Sequence, residues 1–211
     1  MTPLQLAGSA FVVGLSGAMM PGPVLTVTIT EAPRHGWITG LLISVGHGVA
    51  ELVLVVALYL GASQFISRSA FSSVIGVVGG LVLLVLGGQM TLRGLKGNVG
   101  LGLEPADRRS RPHGPALLGG VTTLSNPYWY LWWATVGTAY MVQAMRHSYV
   151  GVASFFCGHI SADIAWYSLV SIALVFGKRV ISDSVYRGLL GVCGVFLVGL
   201  GVYFVRFGLS H

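Results

Sequence analysis

Gly46-His47-Gly48-Val49-Ala50-Glu51 and Gly158-His159-Ile160-Ser161-Ala162-Asp163 share one pattern, Gly-His-x-x-Ala-acid, and each lies inside a long apolar run. Apart from Glu51, the run from His35 to Ser67 carries no Asp, Glu, Lys or Arg; apart from Asp163, neither does the run from His147 to Gly177. Four further charge-free runs accompany them: Met1 to Thr30, Ser69 to Leu92, Pro112 to Met145 and Gly188 to Val205. A helix crosses a bilayer in about 20 residues, so each run is long enough for one crossing.

The pattern therefore predicts an all-α polytopic membrane protein of six transmembrane helices. The second and fifth runs carry the matched motif. Weaker echoes keep the same order: Gly76-Val77-Val78-Gly79 matches Gly191-Val192-Cys193-Gly194, and Pro21-Gly22-Pro23 has a prolyl counterpart at Asn126-Pro127. Three ordered matches argue for an internal repeat, residues 1–92 and 116–211, joined by a polar loop, 93–115. Each half holds an odd number of helices, so the two cross the membrane in opposite directions, as in many secondary transporters.

Composition agrees. Of 211 residues, 54% are hydrophobic and only 9% charged, against roughly 25% charged in a soluble domain. The 31 glycines suit helices that must approach closely without a hydrophobic driving force between them. The net charge of +6 sits mostly in short gaps between apolar runs, which reads as a topology signal and not as a nucleic-acid surface. One side would hold Arg34, Arg93, Lys96, Arg108, Arg109, Arg111, Lys178, Arg179 and Arg187; the other would hold Arg68, Arg146 and Arg206. Nine against three places the 93–115 loop in the cytoplasm and both termini outside. The start lacks a basic segment before its apolar stretch and reads as the first membrane helix. Cys157 and Cys193 show no disulfide or metal spacing and read as small core residues.

Four residues apart on a helix, His47 and Glu51 share a face, as do His159 and Asp163. Glu51 and Asp163 are the carboxylates deepest within apolar runs, with Glu31 near a run's end. Acids at that depth are costly and usually face a cavity or a partner. A carboxylate that holds either a proton or a cationic substrate is a simple coupling device, whereas the histidines could equally serve as structural hydrogen-bonding groups. Pro21-Gly22-Pro23 and Asn126-Pro127 should break their helices and free backbone groups for a ligand. Tyr128-Trp129-Tyr130-Leu131-Trp132-Trp133 follows the second break, and Trp166-Tyr167 follow Asp163. Aromatic faces there, Trp129 and Trp166 in particular, suit an ammonium group or tight packing.

The proline motif late in the first run, the glycine-rich second run, the polar central loop and the Asn-Pro opening together resemble the lysine exporter (LysE/RhtB) family of amino-acid translocators. The resemblance covers essentially the whole chain. It implies proton-driven efflux of amino acids or related amines and zwitterions across the prokaryotic cytoplasmic membrane, by a homodimer. The aromatic stretch after Asn126-Pro127 and the paired histidine-acid motifs mark a divergent subgroup.

Two other readings stay open. His47, Glu51, His159 and Asp163 could coordinate a divalent metal for export, although no His-rich or Cys-rich tract accompanies them. An intramembrane enzyme would need a nucleophile constellation that the sequence does not offer. No cofactor motif is present, and the expected partners are a small-molecule substrate and the lipid bilayer.

Overall fold

The computed structural model describes residues 1–61, 69–96, 114–177 and 182–210. Among them every regular element is helical. Helix α1 (Pro3–Ala18) starts at a capping box, in which the Thr2 hydroxyl accepts from the Gln5 amide and the Gln5 side chain accepts from the Thr2 amide. After a break comes α2 (Pro23–His35), then α3 (Thr39–Tyr59) and α4 (Ser69–Lys96). The second half of the chain begins with α5 (Pro115–Leu124) and α6 (Pro127–Trp132). A π turn (Trp133–Gly137) leads into α7 (Thr138–Met145), followed by α8 (Ser148–Phe176) and α9 (Asp183–Leu209).

Helices α3, α8 and α9, with residues 76–96 of α4, are long and apolar enough to cross a membrane. The pair α1 and α2 qualifies as one further span, bent by 72° at its break. The chain is thus a multi-pass membrane protein with four such helices among the described residues, or five with the bent pair. The expected fourth span, Pro112 to Met145, is subdivided into α5, α6, the π turn and α7. Pro127 cannot donate to the preceding turn, and Asn126 caps the new helix by accepting from the Tyr128 amide at 3.1 Å. The Thr138 hydroxyl donates to the Trp133 carbonyl at 2.6 Å, serving an acceptor in the widened turn.

At the edge of the expected polar loop, Arg93 to Lys96 continue α4. Residues 97–113, with Arg108, Arg109 and Arg111, lie outside the described residues, as do Arg68, Lys178 and Arg179.

Helix α4 packs along α9, α1 along α8, and α3 against both α5 and α8. In each Gly-His motif the glycine permits one of these contacts. A Cβ on Gly46 would fall onto the Ala116 carbonyl of α5, and one on Gly158 onto the Ala7 carbonyl of α1. Small residues at such contacts replace the hydrophobic drive that lipid does not supply. The two motifs so bring their histidines inward at equivalent contacts.

Cys193 is buried as expected, whereas Cys157 lies on an exposed face of α8. It borders an apolar groove between α3 and α8, with Leu52, Val55 and Phe156.

Candidate functional site

The i,i+4 spacing turns His47 and Glu51 of α3 and His159 and Asp163 of α8 towards each other across the helix contact. All four are buried, with Glu51 1% and Asp163 4% exposed. One ligand atom from each lies within 4.8 Å of the others. His159 Nε2 approaches Glu51 Oε1 at 3.1 Å and Asp163 Oδ2 at 3.9 Å. His47 Nε2 lies 3.4 Å from Glu51 Oε1 and 3.6 Å from Asp163 Oδ2.

The broken fourth segment supplies the surroundings. Trp129 and Trp133, one turn apart across the start of the π turn, both donate their indole N–H to Glu51 Oε1 at 3.1 Å. A wide π turn shifts the helix face where such a constellation is needed, and π turns recur at functional sites. Trp132 stacks on the His159 ring, centroids 4.7 Å apart. In α5 the Thr123 hydroxyl donates to the Gly119 carbonyl at 2.8 Å. Its oxygen therefore accepts from Nδ1–H of His47 at 2.7 Å, which leaves Nε2 of that ring facing the acids.

Beside the quartet lies a cavity of about 70 Å³. That is room for several waters or one small charged group, since about 10–15 Å³ on this measure suffices for a water. Its wall includes all four quartet residues, Gly14, Gly17 and Ala18 of α1, Gly22 from the first break, Asn126 from the second with Trp129 and Trp132 of α6, and Tyr167. Gly14 is tight against the site: a Cβ there would sit 2.7 Å from Nδ1 of His159. Glu51 Oε2, Asp163 Oδ2 and His159 Nδ1 are buried without a hydrogen-bond partner.

Of the residues singled out in the sequence, Glu51, Asp163, His47, His159, Gly22, Asn126 and Trp129 therefore meet at one cavity. Pro21 lies in the break between α1 and α2, Pro23 opens α2, and Pro127 opens α6 against Gly79 of α4. Trp166 stands apart: it packs against the apolar core and does not line the cavity, where its neighbour Tyr167 does. Thr123 joins the site without having been singled out, Trp133 was singled out only within the aromatic stretch, and Gly14 not at all. The adjacent threonines before Asn126 and the one-turn spacing of Trp129 and Trp133 are the signals that could have found the first two.

Glu31, expected near the end of a run, is buried as well, 4% exposed on α2. Its neighbours in the next turn are Arg34 at 3.9 Å and His35 at 3.6 Å, so it forms a separate, locally paired group.

Two comparisons bear on this arrangement. Residues 15–208 match the family model described as LysE type translocator. Over 209 residues, 96% of each chain, the sequence is 25% identical to a protein of Bacillus subtilis (strain 168) named "Putative amino acid efflux protein YcgF". No solved structure matches the chain. A family match spanning both helix breaks, the quartet and the paired helices α4 and α9 is decisive: this protein belongs to the LysE type translocator family.

Proposed function

We propose that the protein exports amino acids or related small amines and zwitterions across the cytoplasmic membrane, in exchange for protons. One observation carries the reading: both buried acids and both histidines converge on a cavity that is walled by two helix breaks. Glu51 and Asp163 hold the substrate ammonium or the incoming proton, and the histidines relay protons between them. The half-helix ends after Pro23 and Pro127 hold the substrate carboxylate, because a helix N-terminus favours an anion. No side chain caps α2 at Gly22, which leaves that end available to a ligand. The indoles of Trp129 and Trp132 at the cavity wall favour a cation near their faces.

The family and the name of its Bacillus subtilis relative support amino acids as the cargo. In this reading six spans form two inverted three-helix halves. Support comes from the shared order of elements: a broken span, a long helix bearing Gly-His-x-x-Ala-acid, and a long glycine-rich helix. The cationic bias puts the loop after α4 in the cytoplasm and both termini outside, and the working unit is a homodimer.

The test is a flux assay. Purified protein in vesicles loaded with labelled amino acids and small amines should release at least one of them faster when the exterior is acidified. Release of none, or release indifferent to the pH gradient, would refute the proposal.

A further inference from the structure

We propose that His47, Glu51, His159 and Asp163 form a binding site for a divalent first-row metal ion of the zinc type, held by two imidazole nitrogens and two carboxylates. The spacing of the quartet is the first argument. A tetrahedral ion with bonds of about 2.0–2.1 Å separates its ligand atoms by roughly 3.3 Å. The four histidine-to-acid separations are 3.1, 3.4, 3.6 and 3.9 Å. An N–H···O hydrogen bond spans about 2.7–3.2 Å, so three of the four are too long for one. They approach four edges of a coordination tetrahedron, and with all four ligand atoms within 4.8 Å of one another an ion would draw the remaining two edges in.

Unmet valence is the second argument. Glu51 Oε2 and Asp163 Oδ2 are buried without a hydrogen-bond partner, although each belongs to a residue at most 4% exposed. Buried carboxylate oxygens without partners are costly; a cation held by Asp163 Oδ2 removes that cost there, while Glu51 faces the quartet with Oε1.

The surroundings are the third. Thr123 accepts from Nδ1–H of His47 and donates its own hydroxyl hydrogen bond to the Gly119 carbonyl. This selects the tautomer whose Nε2 lone pair faces the quartet, as outer-shell partners do for metal-ligating histidines. Two indole donors hold the Glu51 carboxylate in place, as ligating carboxylates also require. Two carboxylates offset the charge of a divalent ion, so the loaded site is neutral where charge is most expensive. Paired imidazoles favour zinc and its first-row neighbours over magnesium or calcium, and the absence of a thiolate or thioether from the quartet disfavours copper(I).

The ion would share its four residues with the export reading and compete there with the ammonium or the proton, yet a chain that exports amino acids and binds no metal would sink this proposal alone. Full-length protein, purified in detergent without chelator, is equilibrated with zinc chloride, freed of loose ion, and assayed for zinc per chain and by X-ray absorption. The expected result is one zinc per chain in a shell of nitrogen and oxygen only. His47→Gln/His159→Gln should lose at least nine-tenths of it. Asp163→Asn, which keeps the helix contact and three ligands, should weaken binding about tenfold or more and guards against a folding defect in the double variant. No zinc on the wild type, equal zinc on the double variant, or unchanged affinity in Asp163→Asn would each overturn the site.

Discussion

Two helix pairs in this molecule pack closely and do opposite things with the contact. Helices α4 and α9 run antiparallel and meet through glycines seven residues apart. Gly80, Gly87 and Gly94 face the neighbourhood of Gly201, Gly194 and Gly191, and Gly76 faces Gly208. Around them are Leu83, Leu190 and Leu197, all buried. Helices α3 and α8 meet instead around two acids and two histidines, flanked by a cavity and by broken helices. The first pair packs through close backbone approach at its glycines, the van der Waals packing of membrane helices. The second carries buried charge that only specific partners stabilise. The difference separates a contact that holds shape from one that, in the proposed function, receives the substrate and the proton.

Substitutions on the two sides should therefore fail in different ways. The largest effect is expected at Gly194, where a Cβ would meet Thr91 Oγ1 at 2.5 Å and the Gly87 carbonyl at 2.8 Å. Gly194→Leu should cost about 3 kcal/mol, the upper end for overpacking, read as a lowered unfolding midpoint in detergent. The protein that does fold should still transport normally. Next comes Trp133→Phe, which keeps the ring but removes one donor to Glu51. A hydrogen bond to a charged group contributes about 1.5–3 kcal/mol, so flux should fall tenfold or more while helix content stays unchanged. If this variant unfolded the protein but transported normally per folded molecule, the division between the pairs would be wrong. The smallest effect belongs to Trp166→Phe, a ring outside the cavity, whose flux should stay within about twofold of wild type.

Much of this was legible in the sequence, for identifiable reasons. The first break could be read because Pro21 and Pro23 cannot extend a ladder, and the subdivision of the fourth segment at Asn126-Pro127 follows from the same chemistry. The quartet could be read because i,i+4 spacing fixes which side chains share a face and because acids in apolar runs need partners. The π turn could not: it depends on Gly137, whose missing Cβ leaves space for the Trp133 ring, and on the Thr138 hydroxyl, a tertiary accommodation with no local pattern. Choosing Trp166 over Tyr167 missed a rotation of about 100° along α8. Tyr167, one i,i+4 step from Asp163, keeps to the cavity face, and Trp166 does not. The threonine pair marks Thr123 in the sequence, but its partner His47 appears only when Gly46 lets α5 approach α3.

The central claim is that the acids between α3 and α8 couple the substrate to the proton. The most direct measurement compares proton-gradient-driven amino-acid efflux from vesicles containing wild type or Glu51→Gln/Asp163→Asn, at matched amounts of folded protein. The account predicts that the gradient accelerates efflux by the wild type and leaves the variant at the protein-free background. Gradient-driven efflux from the variant at the wild-type rate would contradict it.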